Sequence, residues 1–144
     1  MDVSGLLDKK GAGVVTALPD TTVAEVATLL SDHRIGAVVV SSDGAGIVGI
    51  VSERDIVRAV ADRGAAALHD EAAAIMTREV FTCGRATTVE QLMALMTERR
   101  IRHVPVLDDG RLAGMISIGD VVKDRMGELE TETKVLHDYI THGR

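Results

Sequence analysis

Aromatic side chains are nearly missing from this chain, which holds one Phe, one Tyr and no Trp. Base stacking on aromatic platforms, the usual grip on single-stranded nucleic acid, is therefore out of reach. Cationic runs are missing too. Sixteen Lys and Arg face 22 Asp and Glu for a net charge of −6, which excludes the phosphate-coating surface of a DNA-binding protein. Cys83 is the sole cysteine, so neither an internal disulfide nor a paired-cysteine metal knuckle can form. Its thiol reads as a small core side chain rather than a nucleophile. No apolar run approaches the ~20 residues that cross a bilayer, and no charged start followed by an apolar stretch marks a secretory leader. The expected setting is cytoplasmic, with no nucleic acid and no membrane insertion.

What is present is ordinary for a globular domain: 46% hydrophobic and 26% charged over 144 residues. A chain of this length buries about 68–70% of its unfolded surface. It fits one domain, or two small units sharing one core. An internal repeat favours the second form. Thr21-Thr22-Val23 matches Thr87-Thr88-Val89, and Asp32-His33-Arg34-Ile35 matches Glu98-Arg99-Arg100-Ile101. Val38 and Val40 match Val104 and Val106, and Asp43-Gly44 matches Asp109-Gly110, all at one constant offset. Beyond the Asp-Gly pair the offset shortens by one, and Gly49, Ser52 and Asp55 match Gly114, Ser117 and Asp120. A duplicated fold absorbs such a length change in a turn.

Each copy has a readable local structure. Thr22-Val23-Ala24-Glu25 and Thr88-Val89-Glu90-Gln91 are capping boxes that open helices. Val23, Val26, Ala27 and Leu30, like Val89, Leu92, Met93 and Met96, mark one buried face at helical period. Apolar runs at Val38–Val40 and Ile47–Val51, and at Val104–Leu107 and Leu112–Ile116, flank the Asp-Gly turn signals and read as hairpins covered on both faces. Short strands are expected first, at Val14–Ala17 and Val80–Cys83, and helices last, from Ser52 and Ser117. The fold class is α+β, two β-α-β-β-α units: 3–64 the first, 65–79 a linker and entry helix, 80–126 the second, 127–144 a C-terminal helix. In the linker, Ala65–Leu68 and Ala72–Met76 read as helical, and Gly64 as the stop before them.

The repeated chemistry lies at Ser52-x-x-Asp55 and Ser117-x-x-Asp120, each where a strand meets a helix. A helix N-terminus presents unpaired N–H groups to phosphate. A carboxylate can accept two hydrogen bonds from a ribose diol, as an acidic residue does in dinucleotide-binding folds. The glycines just before, Gly49 and Gly114, permit close backbone approach. The same residues also make a good N-cap with an acid in the first turn, and one residue can do both.

The runs Gly49-Ile50-Val51-Ser52-Glu53-Arg54-Asp55-Ile56 and Gly114-Met115-Ile116-Ser117-Ile118-Gly119-Asp120-Val121 resemble the signature of cystathionine β-synthase (CBS) domains. So do Arg100-Ile101-Arg102-His103-Val104-Pro105-Val106 and Ile75-Met76-Thr77. The resemblance implies a tandem pair of the stand-alone bacterial type, packed sheet to sheet about a pseudo-twofold axis (a Bateman-type module). It implies two clefts for AMP, ADP, ATP, NAD or S-adenosylmethionine and a regulated partner protein. Carried onto this chain, it makes Ser52, Asp55, Ser117 and Asp120 nucleotide-binding and gives Arg102 and His103 a phosphate role. Arg54 is a further candidate, Thr16 and Thr82 line the adenine end, and Ala37, Val38 and Pro105 supply apolar walls. The copies differ where Gly36-Ala37 stands opposite Arg102-His103, which implies unequal clefts.

Catalysis finds no support: there is no Ser-His-Asp signature, no HExxH and no Walker loop. His33, His69, His137 and His142 read as surface residues without metal. Val122, Met126, Leu129, Thr133, Leu136 and Ile140 step by 4, 3, 4, 3, 4, a short coiled-coil seam. Gly127 weakens it by roughly 1 kcal/mol. The seam serves either a terminal helix packed on its own module or a homodimer. The sequence thus reads as a non-enzymatic sensor of adenine nucleotides, with a ligand-free interaction scaffold as the alternative.

Overall fold

The computed structural model describes residues 1–11 and 13–142, with only the backbone of His142. The helices are α1 (Val3–Lys10), α2 (Val23–His33), α3 (Glu53–Arg63), α4 (Ala72–Ile75), α5 (Val89–Arg99) and α6 (Ile118–His142). The strands are β1 (Thr16–Ala17), β2 (Ala37–Val40), β3 (Gly49–Ser52), β4 (Cys83–Gly84), β5 (His103–Asp108) and β6 (Arg111–Ser117). Two three-stranded sheets result, β1-β2-β3 and β4-β5-β6. In each, the first strand pairs parallel and the third antiparallel to the middle one. This is the expected β-α-β-β-α unit, twice.

Local chemistry explains the elements. Both expected capping boxes form: the Thr22 and Thr88 hydroxyls accept from the backbone three residues on, while Glu25 and Gln91 reach back. Both helices end on an Arg in left-handed conformation, Arg34 at φ 53° and Arg100 at φ 54°, so the repeat extends to backbone strain. Asp109 and Gly110 both take positive φ, the requirement of a tight hairpin turn. In the first copy the turn is longer, and the Asp43 carboxylate accepts from the backbone of Ala45 and Gly46.

Two differences from expectation have clear causes. Val80–Cys83 gives a strand only at Cys83–Gly84, while Thr77, just upstream, bridges to Ile50 of the other sheet. Ala65–Leu68 is a 3-10 segment, Gly64–His69, after Gly64 stops α3 at φ +65°. Gly127 does not interrupt α6, which runs 25 residues. An exposed helix interior absorbs one glycine at ~1 kcal/mol.

Strand alternation sends side chains two ways. Val38, Val40 and Val51 join Val26 and Leu30 in one core, and Val104, Val106 and Ile116 join Leu92 and Met96 in another. Ala37, Val39 and Met115, with Val14, Ile47, Ile50 and Leu112 around them, form a third cluster where the two sheets face each other. Val3, Leu6 and Leu7 of α1 lie in the core of the second copy, whereas Ala72 and Met76 lie in that of the first. The backbone repeats the exchange: Val3 N–H donates to Thr87 and Ala72 N–H to Thr21. Each unit is thus completed by the helix that precedes the other unit in the chain.

The signature glycines make this exchange possible. A Cβ at Gly49 would lie 2.6 Å from the Met76 sulfur and 2.9 Å from the Thr77 carbonyl oxygen; at Gly114 it would lie 2.6 Å from a Leu7 methyl. The close approach expected at these glycines is made by the chain's own entry segments. Gly49→Ala is expected to cost about 1–3 kcal/mol by overpacking, because a backbone carbonyl held in a bridge cannot step aside. Gly114→Ala meets only a rotatable methyl and should cost less. Urea unfolding of both variants checks this, and the reverse order would contradict it.

Candidate ligand-binding clefts

Both Ser-x-x-Asp motifs form capping boxes at strand-helix junctions. The Ser52 hydroxyl accepts from Asp55 N–H, and Asp55 Oδ2 accepts from Ser52 N–H at 2.9 Å. In the second copy Asp120 Oδ2 accepts from Ser117 N–H at 2.8 Å, and Asp120 N–H donates to the Ser117 hydroxyl. The first helical N–H groups are also spent within the fold: Glu53 donates to Gly36 O and Ile118 to Arg102 O. An open phosphate site at the helix N-terminus is thereby reduced. What each motif keeps is a second carboxylate oxygen. Asp55 Oδ1 receives only the Thr77 hydroxyl, at 3.3 Å. Asp120 Oδ1 has no hydrogen-bond partner among the described residues.

The two carboxylates have different neighbours. Beside Asp120 stands Lys10, whose ammonium donates to Asp120 Oδ2 at 2.8 Å and to Met115 O at 2.7 Å. Burial alone would raise the Asp120 carboxyl, but the Lys10 and Ser117 hydrogen bonds outweigh it and hold the group below its usual value. Sequence reasoning missed Lys10 because it lies over a hundred residues from Asp120 in the chain. Thr77 carried a signal, standing in the Ile75-Met76-Thr77 segment.

His103 occupies the equivalent of Ala37. Its ring atoms lie 3.0 Å from where a Gly36 Cβ would stand, with Glu53 Oε1 at 3.4 Å from the same point. Gly36 thus leaves room for the ring between the copies. Burial, then the charge of Lys10, lowers the His103 pKa; Glu53 and Asp120 oppose and Arg102 assists. His103 is thereby biased toward its neutral form. The folded pKa lies below the unfolded one, so its stabilising effect is complete above about pH 6.5 and is lost as pH falls through the folded value. His103→Asn should flatten the decline in unfolding free energy between pH 7.5 and pH 5.5, measured by urea titration. An unchanged slope would assign the decline elsewhere.

The other expected residues divide by strand face. Ala37 and Pro105 share the face turned to the opposite sheet, with Met115 pairing Pro105. The Val38 side chain lies in the first copy's own core, so only its backbone is available to a cleft. Thr16 pairs with Val39 at the end of its sheet. Thr82 is exposed just before β4, and Arg54 is exposed on α3. Burial pushes the Cys83 thiol up to about 11, so it is a thiol and not a nucleophile at neutral pH. Among the described residues no cluster suits a metal ion, and no helix is long and apolar enough to cross a membrane. His33, His69 and His137 are exposed, and the His142 side chain lies outside the described part.

Two pseudo-equivalent sheets face to face, each with a carboxylate at a strand-helix junction, define a tandem pair of one repeated α+β unit. The chain belongs to the CBS-domain family, whose model matches residues 11–62 and 72–127. It is similar to the CBS domain-containing protein CBSX3, mitochondrial, of Arabidopsis thaliana, 38% identical over 128 residues, covering 86% of this chain and 62% of that protein. The chain thus spans under two thirds of that relative. A CBS-domain containing protein from Agrobacterium tumefaciens superposes with a TM-score of 0.84 at 51% identity, covering 87% of this chain and 99% of that one. A CBS domain protein from Pyrobaculum aerophilum complexed with AMP gives 0.78 at 34% identity, covering 92% and 99%.

Proposed function

We propose that this protein is a regulatory module that binds adenine nucleotides in two unequal clefts and passes occupancy to a partner protein. The supporting observation is the repeated carboxylate: Asp55 and Asp120 each spend Oδ2 on a cap, and Oδ1 accepts only the Thr77 hydroxyl at Asp55 and nothing among the described residues at Asp120. The AMP complex of the Pyrobaculum relative supports the ligand class. In this reading Asp55 and Asp120 hold ribose diols. Ala37 and Pro105 wall the base, with Thr16 and Thr82 at the adenine end. Arg102 meets phosphate with a planar fork whose charge does not titrate away. Ser52 and Ser117 position the carboxylates, and Arg54 stands at the rim of the first cleft. The module works without catalysis, in the cytoplasm, as a homodimer.

Capping alone would preserve both Ser-Asp pairs in a scaffold with empty clefts, so titration decides. Isothermal titration with AMP, ATP, NAD and S-adenosylmethionine should give saturable binding to at least one, at up to two sites per chain. No binding to any of them would leave the scaffold. Arg102→Ala should weaken AMP at one site about tenfold or more, the scale of a charge-assisted hydrogen bond, and spare adenosine. Equal losses for both would remove the phosphate role.

A further inference from the structure

Among the described residues, Lys10 is the one charged group that reaches a proposed diol carboxylate from outside its own motif. It closes α1, whose Leu6 and Leu7 are anchored in the second copy's core. Gly11 and Gly13 follow at φ +94° and +100°. The Lys10 side chain is 37% exposed, and its ammonium ends a flexible four-carbon stem. At Asp55 the corresponding contact is the neutral Thr77 hydroxyl. Beside Lys10 opens a groove of about 630 Å³ between α1 and α6, whose other charged lining residues are Lys9, Lys123, Asp120, Asp124, Glu128 and Glu132. Lys9 is paired to Asp124 at 3.1 Å, so the groove has its own acid for that cation.

We propose that Lys10 sets the ligand class of the Asp120 cleft, selecting adenosine compounds that carry an anionic 5′ group over neutral adenosine. The proposal rests on the reading of Asp120 as a diol acceptor. In the free protein the ammonium covers the carboxylate. A ribose diol takes Asp120 Oδ1 with one hydroxyl and competes with Lys10 for Oδ2 with the other, which loosens the ammonium from the carboxylate. A 5′-phosphate supplies a new anionic partner within the sweep of the same side chain. Adenosine loosens the ion pair and puts nothing in its place. The Asp55 cleft, with Thr77 instead, makes no such distinction.

The test isolates the second cleft by placing every variant in an Asp55→Asn background and titrating adenosine and AMP calorimetrically. Lys10→Met should weaken AMP about tenfold or more, the loss of one charge-assisted hydrogen bond. The same change should tighten adenosine by about two- to fivefold, the scale of a part-exposed ion pair no longer to be broken. Lys10→Gln, which keeps a neutral donor, should show the same opposite-signed pair of changes in smaller degree. A purely structural Lys10 would shift both ligands in one direction, so an unchanged adenosine-to-AMP ratio in both variants overturns the proposal. Asp120→Asn is the control for the underlying reading. If it abolishes adenosine binding while Lys10→Met leaves the ratio intact, the diol site stands and the Lys10 role falls. If it leaves both ligands at full affinity, or if the background protein binds neither, the site reading falls and takes the Lys10 role with it.

Discussion

Replacing both Asp55 and Asp120 with Asn is expected to abolish measurable AMP binding while the protein still folds. Each carboxylate that accepts from a diol loses a charge-assisted hydrogen bond worth roughly 1.5–3 kcal/mol, or about ten- to a hundredfold in affinity. The fold should survive because the Asn side-chain oxygen can still accept from Ser52 or Ser117 N–H, as the Asp Oδ2 atoms do at 2.9 and 2.8 Å. What the cap loses is its charge near the helix N-terminus, about 0.3–1 kcal/mol at each site. At Asp120 the Lys10 ion pair goes as well, but with the Asp120 side chain 27% and the Lys10 side chain 37% exposed it contributes under about 1 kcal/mol. Calorimetry and urea unfolding on the same preparations separate the two effects. A folded double variant with wild-type AMP affinity would show that the carboxylates serve the helix caps alone.

Shortening the chain after Met126 is expected to turn a homodimer into a folded monomer. All six seam positions, Val122, Met126, Leu129, Thr133, Leu136 and Ile140, are exposed on the single chain. Leu129, Leu136 and Ile140 are 61, 59 and 69% exposed. Packing of the seam on its own module is thereby ruled out for these positions. The first turns of α6 dock by other residues: Val121 and Asp124 are buried, Lys9 pairs with Asp124, and Arg125 pairs with Glu90 and Glu128. A heptad stripe is complementary to a second copy of itself, and twofold pairs are the commonest assembly. Leu136→Glu is the sharper variant. Burying one Leu stabilises by roughly 1.5–3 kcal/mol, and two copies lose it together. Dimer association should weaken by about two to four orders of magnitude, with the melting temperature of each module little changed. Light scattering at micromolar concentration reads the mass directly. A monomeric full-length chain would end the proposal, and a dimer that survives truncation would move the contact to the modules.

The division between what could be read along the chain and what could not has a physical basis in range. Thr22 and Glu25, Thr88 and Gln91, Ser52 and Asp55, Ser117 and Asp120 are partners three residues apart, and all formed the caps that their spacing implies. The hairpins, the two covered sheets and the equivalence of the copies follow from the same local rules, as does the pairing of the Asp-Gly turns with their strands. So does the heptad step of α6, because one helix face is a matter of period. Position alone also marked Arg102 and His103 as the chemical difference between the copies.

Contacts across the fold were decided only by tertiary structure. Nothing in Leu7 or Met76 announces that each completes the unit farther from it or nearer to it; two steric vacancies, Gly114 and Gly49, determine where these side chains can go. That docking delivers Lys10 to Asp120 and Thr77 to Asp55, giving equivalent carboxylates unlike neighbours. The lowered pKa of His103 likewise arises from burial between the sheets and from Lys10. The sequence determined the repeated elements and the residue types at each cleft, because those depend on neighbours a few residues away. Which cleft holds which charge was left to packing, because an ion pair between residues 10 and 120 exists only once the chain has closed on itself.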